Sequence, residues 1–303
     1  MHGAASGGTQ ASRKAVATRH TSGQILGAGA ARLHLQAWLP GAPGSGETEG
    51  VDAVIAVVHG YGDHGGRYTW FGEDMAARGY AVYVYDLRGH GQSSGARGQV
   101  KRFDEYLDDT AVFLDEVRRR QPGGPLFLLG HSMGGLICAR LAEERAPDVT
   151  GLVLSAPFLA LVAEVPPSKV AGAKLLAVIW PGKDVGNTVR AADLSHDRTV
   201  VEAYVTDRLV HHVAPARWAV QVLAAQDEAM EGAGRIELPL YLLYGKEDPV
   251  ADASFAEALF AGAASQDKTV RAYEGLLHEC FNDVGREQVY ADLAAWIAER
   301  LPA

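Results

Sequence analysis

The chain has 303 residues, 48% of them hydrophobic and 21% charged, the balance of a folded globular protein and not of a disordered or fibrous one. Its formal net charge of -9 argues against a nucleic-acid partner and gives no electrostatic attraction to an anionic membrane. The two cysteines, Cys138 and Cys280, are too few for a disulfide framework or a thiolate metal site, and a reduced compartment fits that usage.

Residues 1–22 are rich in Gly, Ala, Ser and Thr, with Arg13, Lys14 and Arg19 among them and no apolar signal-peptide segment. They read as a disordered leader or a cloning remnant. No apolar run reaches the length of a membrane span, so the expected location is cytoplasmic. Residues 31–39 alternate enough for an early strand at the sheet edge, and 41–50 form a Gly/Pro/Ser/Glu turn. Residues 53–58 are a continuous β-branched apolar run, the mark of a strand buried on both faces. The glycine-dense loop His59-Gly-Tyr61-Gly-Asp-His-Gly-Gly-Arg-Tyr68 follows, then a helix over 70–78, a strand over 80–85 and a helix over 103–120. Further strands are expected at 126–129, 151–155, 240–244 and 269–273, with later helices at 217–230, 252–260 and 286–300. Between 158 and 217 the rhythm breaks, with Pro166-Pro167, Pro181-Gly182 and Pro215 separating short helical patterns. Strands alternating with helices predict an α/β fold, a mostly parallel, doubly wound sheet with helices on both faces. Its core is 23–157 plus 218–303, and 158–217 is an insertion above the sheet instead of a second independent domain.

The stretch that organises the chain runs from Pro125 to Arg140: a buried strand, a tight turn at Gly130-His-Ser132-Met-Gly134, and a helix patterned from Leu136 to near Pro147. The turn matches G-x-S-x-G. A serine on a strained strand-to-helix turn stands clear of the sheet only if its neighbours two positions away carry no side chain, and the amides opening the helix favour negative charge beside it. In a chain with 35 glycines the bare pattern is weak, and a structural glycine-rich turn is the alternative. Strand–turn–helix context selects the nucleophile.

Ligands gather at the carboxyl ends of parallel strands. Two downstream strand ends carry Asp248, in Gly245-Lys-Glu-Asp248-Pro-Val, and His278, in Gly275-Leu-Leu-His278-Glu. Ser132, Asp248, His278 is the order expected of a nucleophile-elbow hydrolase, and no histidine lies between His212 and His278. Alone, Asp248 before Pro249 would be a turn residue and His278 an exposed loop histidine; together with Ser132 they read as acid and base, with Glu247 the fallback acid. The oxyanion site should pair the Met133 amide with an amide of the His59–Gly62 loop, that of Tyr61. Both donors are main-chain, so side-chain changes at Tyr61 or Met133 need not abolish function. His59 is expected to brace its loop. His64, Asp86, His90, His211 and His212 lack partners at ligand spacing and receive structural or surface roles; no metal and no cofactor is expected.

These residues together resemble the monoacylglycerol lipase and lysophospholipase branch of the α/β-hydrolases, the group labelled Hydrolase_4. The resemblance rests on the 59–68 loop, Asp86-Leu-Arg-Gly-His-Gly-Gln-Ser-Ser-Gly95, Arg97-Gly-Gln-Val100 with Phe103, the Ser132 turn, and the Asp248 and His278 segments. It implies a serine esterase with Ser132, Asp248 and His278 as triad, Tyr61 and Met133 as oxyanion donors, and a helical cap inserted after the sixth strand over an acyl pocket. The implied substrate is a lipid ester, a monoacylglycerol first. A lysophospholipase, a general carboxylesterase, a small-peptide serine peptidase and a non-catalytic binding module of the same fold are the alternatives. The base predicts a rate that falls below roughly pH 6–7. Within the insertion, residues 170–180 carry only Lys174 as a charge. Without a clear polar face they read as a helix packed on the body, the sharper alternative being a lid in transient contact with membranes or micelles. Oligomeric state is not legible.

Overall fold

The computed structural model describes residues 17–163, 165–186 and 189–302. Strands β1 (Thr18–Leu26) and β2 (Arg32–Pro40) form an antiparallel hairpin, followed by β3 (Ala53–Val58), helix α1 (Thr69–Ala77), β4 (Tyr80–Tyr85) and α2 (Asp104–Arg120). Then come β5 (Leu126–His131), α3 (Met133–Arg145) and β6 (Gly151–Ser155). The expected insertion follows with α4 (Pro167–Ile179) and α5 (Arg198–Thr206), and the chain returns through α6 (Ala216–Gly232), β7 (Leu240–Gly245), α7 (Ala253–Gly262), β8 (Lys268–Tyr273) and α8 (Arg286–Ala298). The eight strands make one sheet in the order β1-β2-β4-β3-β5-β6-β7-β8, parallel from β4 to β8 and antiparallel at β1 and β2.

Alternate residues of β3 explain the two layers. Val54, Ala56 and Val58 pack with α2, α3, α6 and α7, while Ala53, Ile55 and Val57 pack with α1 and α8. All six are fully buried, and each larger side chain contributes about 1.5–3 kcal/mol over an exposed one. Burial on both faces is why β3 to β7 read as unbroken apolar runs.

Two expectations change. Residues 18–22, assigned to the leader, are the first half of β1, while the leader up to residue 16 lies outside the described residues. In consequence β2 is second from the edge, and β1 is the edge strand. Only Ile25 of β1 is buried, so backbone pairing with β2 and not an apolar period holds it, and the sequence carries no pattern to read. Among the described residues no helix is long and apolar enough to cross a membrane.

Candidate active site

Ser132 sits between β5 and α3 at φ 53°, ψ -119°, a left-handed conformation for a residue with a side chain, which costs about 1–3 kcal/mol. Two backbone bonds from the β6 end offset that cost: the Ser132 N–H donates to Ser155 O, and the Phe158 N–H donates to Ser132 O, both at 2.9 Å. The flanking glycines are steric necessities. A Cβ on Gly134 would lie 2.0 Å from the Val58 carbonyl oxygen, and one on Gly130 2.3 Å from that of Gly134. The helix begins at Met133, three residues before the apolar pattern announces it. Ser132 is only partly buried where its neighbours on both sides are fully so, so the turn presents it to the cavity above.

The loops after β7 and β8 meet through Gly245, where a Cβ would stand 2.2 Å from the Leu276 carbonyl oxygen. That contact brings Asp248 to His278, whose Nδ1–H donates to Asp248 Oδ2 at 2.7 Å. The side chains are 3% and 4% exposed, respectively. Asp248 Oδ1 accepts the Val250 and Ala251 amides at 2.7 and 3.1 Å. With Nδ1 protonated toward the carboxylate, Nε2 is left as the basic nitrogen. Burial pushes the His278 pKa down, but the Asp248 carboxylate and its hydrogen bond outweigh this and raise it above 6.5. Burial pushes Asp248 up, and His278 with the two amides holds it below its ordinary range. Glu247, the fallback acid, is exposed. His131, ring centroid 4.9 Å from that of His278, is driven to a pKa of about 4 by burial and then by His278, so it stays neutral at ordinary pH.

The 59–68 loop closes the other side. His59 Nδ1–H donates to Gly60 O at 2.7 Å and its Nε2 accepts the Leu87 amide at 2.9 Å, which is the bracing role expected of it. A Cβ on Gly60 would be 3.3 Å from Ser132 Cβ, so the Tyr61 end of this loop borders the serine. Met133 is the first residue of α3, and its amide belongs to the first turn, whose N–H groups have no partner within the helix. Asp86 is buried and accepts the Gly65 and Gln92 amides, each at 2.7 Å, and His64 Nε2 meets Asp207 Oδ2 at 2.9 Å.

One cavity of about 620 Å³ contains Ser132, His278, Gly60 and Tyr61 on its floor. Its far wall is apolar and comes from the insertion and α6, with Leu161, Val170, Ala173, Trp218 and Val222. Its polar end was missed by sequence reasoning: Arg67 makes two 2.7 Å bonds to Glu279 and a third, at 3.1 Å, to Asp63. Asp63 and Arg67 lay in a motif already singled out. Glu279 lies 212 residues from Arg67, a separation no local pattern bridges.

Such an elbow on such a sheet defines an α/β-hydrolase. The model of the family Hydrolase_4 (serine aminopeptidase, S33) matches residues 49–285. The chain is 35% identical over 240 residues to the phospholipase YtpA of Bacillus subtilis, covering 78% of this chain and 92% of that protein. It is 31% identical to a monoacylglycerol lipase of Mycolicibacterium smegmatis, over 94% of this chain and all of that protein (100%). Among solved structures, the monoacylglycerol lipase of Paleococcus ferrophilus superposes with a TM-score of 0.73 at 32% identity, over 82% of this chain and 94% of that one. The chain belongs to the Hydrolase_4 family, in its monoacylglycerol lipase-like branch, and is a carboxylic ester hydrolase.

Proposed function

We propose that the protein hydrolyses monoacylglycerols to free fatty acid and glycerol, with Ser132 as nucleophile, His278 as base and Asp248 as its orienting acid. Ser132 Oγ attacks the ester carbonyl while His278 Nε2 takes its proton, and the amides of Tyr61 and Met133 stabilise the tetrahedral oxyanion. His278 returns the proton to the departing glycerol, and water repeats the cycle on the acyl-enzyme. The observation that carries the reading is the two-sided cavity: a long apolar wall for an acyl chain, and the Asp63–Arg67–Glu279 cluster beside His278 for hydroxyl groups. Its volume lies within the roughly 300–1,000 Å³ of small-molecule sites. The similar proteins named for lipases support the same substrate class.

Residues 158–217 act as the cap in this reading. Helix α4 turns Val170 and Ala173 toward the cavity, and its Leu175, Val178 and Ile179, with Trp180 just beyond its end, are between 62% and 79% exposed. That outer face favours the lid in contact with membranes or micelles over a helix packed on the body.

A hydrolysis panel with a Ser132→Ala control tests the reading. It compares monoacylglycerols of increasing chain length with lysophosphatidylcholine, a diacylglycerol, a short p-nitrophenyl ester and alanine p-nitroanilide. Serine-dependent turnover highest on monoacylglycerols is expected. Preference for lysophosphatidylcholine would favour the phospholipase side of the family, and activity on the short ester alone a general esterase.

A further inference from the structure

A single indole touches both residues expected to supply the oxyanion amides. Trp218, in the first turn of α6, stacks on the Tyr61 ring with centroids 3.7 Å apart, and its Nε1–H donates to Met133 Sδ at 3.4 Å. The Tyr61 hydroxyl is tied as well: it donates toward the Val213 carbonyl at 2.9 Å, with the Gly98 carbonyl 3.2 Å away. Gly98 passes so close that a Cβ there would lie 2.1 Å from Tyr61 Oη. His90 and His211 stand edge-on to the same ring, each with its centroid 5.1 Å away. Three segments thus converge on Tyr61: the loop after β4, the stretch by which the chain leaves the cap, and α6.

The loop bearing Tyr61 needs an outside hold. Glycines flank Tyr61 on both sides, and Gly62 lies at φ +76°, so the backbone there is intrinsically permissive. Its holds come from side chains and neighbouring segments: His59 on the Gly60 carbonyl, the His211 amide on the Gly62 carbonyl, and the contacts to the Tyr61 ring. An oxyanion donor acts only within about 2.7–3.1 Å of the developing charge. Side-chain packing alone explains an aromatic ring beside a cavity. It does not explain a half-buried phenol bonded to the backbone of the cap's return segment, nor one indole joined to the side chains of both donors. We propose that Tyr61 and Trp218 are positioning residues, a bracket that sets the two oxyanion amides and makes their placement depend on how the cap's return segment is seated. This rests on the reading of the Tyr61 and Met133 amides as donors.

Tyr61→Phe keeps the stacked ring and removes the hydroxyl. On the soluble p-nitrophenyl ester its kcat should fall about ten-fold, less than the 10²–10³ of losing a donor outright, with KM within about two-fold. Its affinity for an alkyl trifluoromethyl ketone, whose adduct places an oxyanion between the amides, should fall by the same factor. Binding of a 1-O-alkylglycerol ether, which makes no oxyanion, should not change. Trp218→Phe removes the Met133 contact and should lower kcat and ketone affinity together, so it carries the test if Tyr61→Phe does not fold. Two outcomes overturn the bracket: kcat and ketone affinity at wild-type levels in both variants, or a rise in KM alone. Wild-type protein that neither turns over the ester nor binds the ketone would instead overturn the reading of Ser132 and the amides.

Discussion

Around Ser132 the backbone is tied to neighbouring strands and nearly every side chain is buried. In the proposed cap, by contrast, α4 buries Ala173 alone, and Leu194, Tyr204 and Val210 form a small apolar cluster apart from the main core. The first region stores strain at Ser132 and offsets it with bonds from β6. The second is tied to the body by polar contacts, among them His64–Asp207, Arg286–Asp197 and the Ser195 and His196 bonds to Asp283, while α4 itself leaves its outer face to solvent. On the proposed function the contrast fits chemistry in the strained, buried region and acyl-chain access beside the exposed α4, since a reacting geometry must be held within fractions of an ångström while a lipid chain tolerates a yielding wall.

The largest effect should come from the rigid side. Asp248→Asn leaves the shape of the acid but removes the charge that fixes the His278 tautomer, and kcat should drop by roughly 10⁴. The residual activity should show its acid limb at lower pH than wild type, because burial at His278 is then less opposed. An unshifted limb would detach Asp248 from the base.

In the wild type the sign runs the other way. The His278 pKa is raised above 6.5, and in the proposed mechanism only neutral His278 can accept the serine proton. The kcat/KM profile should therefore fall from a midpoint above pH 6.5, a tighter bound than the sequence allowed. Since folding favours protonated His278, its contribution to stability is present below about pH 6.5 and lost as pH rises through the folded pKa. Activity and this stabilising contribution oppose each other. A rate flat from pH 5 to 8 would remove His278 from the role.

The smallest effect belongs to the cap. Val178→Glu, at a position 79% exposed, should leave the melting temperature and short-ester turnover within error. Vesicle binding and turnover of vesicle-borne monoacylglycerol should fall several-fold. Unchanged vesicle binding would return α4 to a plain wall of the pocket.

The same contrast explains what the sequence could show. Buried central strands such as β3 and β5 announce themselves as apolar runs, and the Ser132 turn needs glycines at fixed offsets, so both are local signals. Asp248 and His278 were legible because strand ends are few and no other histidine lies beyond His212. The exposed edge strand β1 has no apolar period, and the Arg67–Glu279 pair and the Trp218 contact with Met133 are long-range, made only by the fold. In the cap, the apolar run over 170–180 gave its composition but not which face meets solvent.

The most direct test of the central claim is covalent. Folded protein treated with an alkyl fluorophosphonate and digested for mass spectrometry should carry one adduct, on the peptide containing Ser132. That adduct should be absent from Ser132→Ala and slow to form in His278→Ala. No adduct on folded wild-type protein, or an adduct elsewhere, would contradict the account.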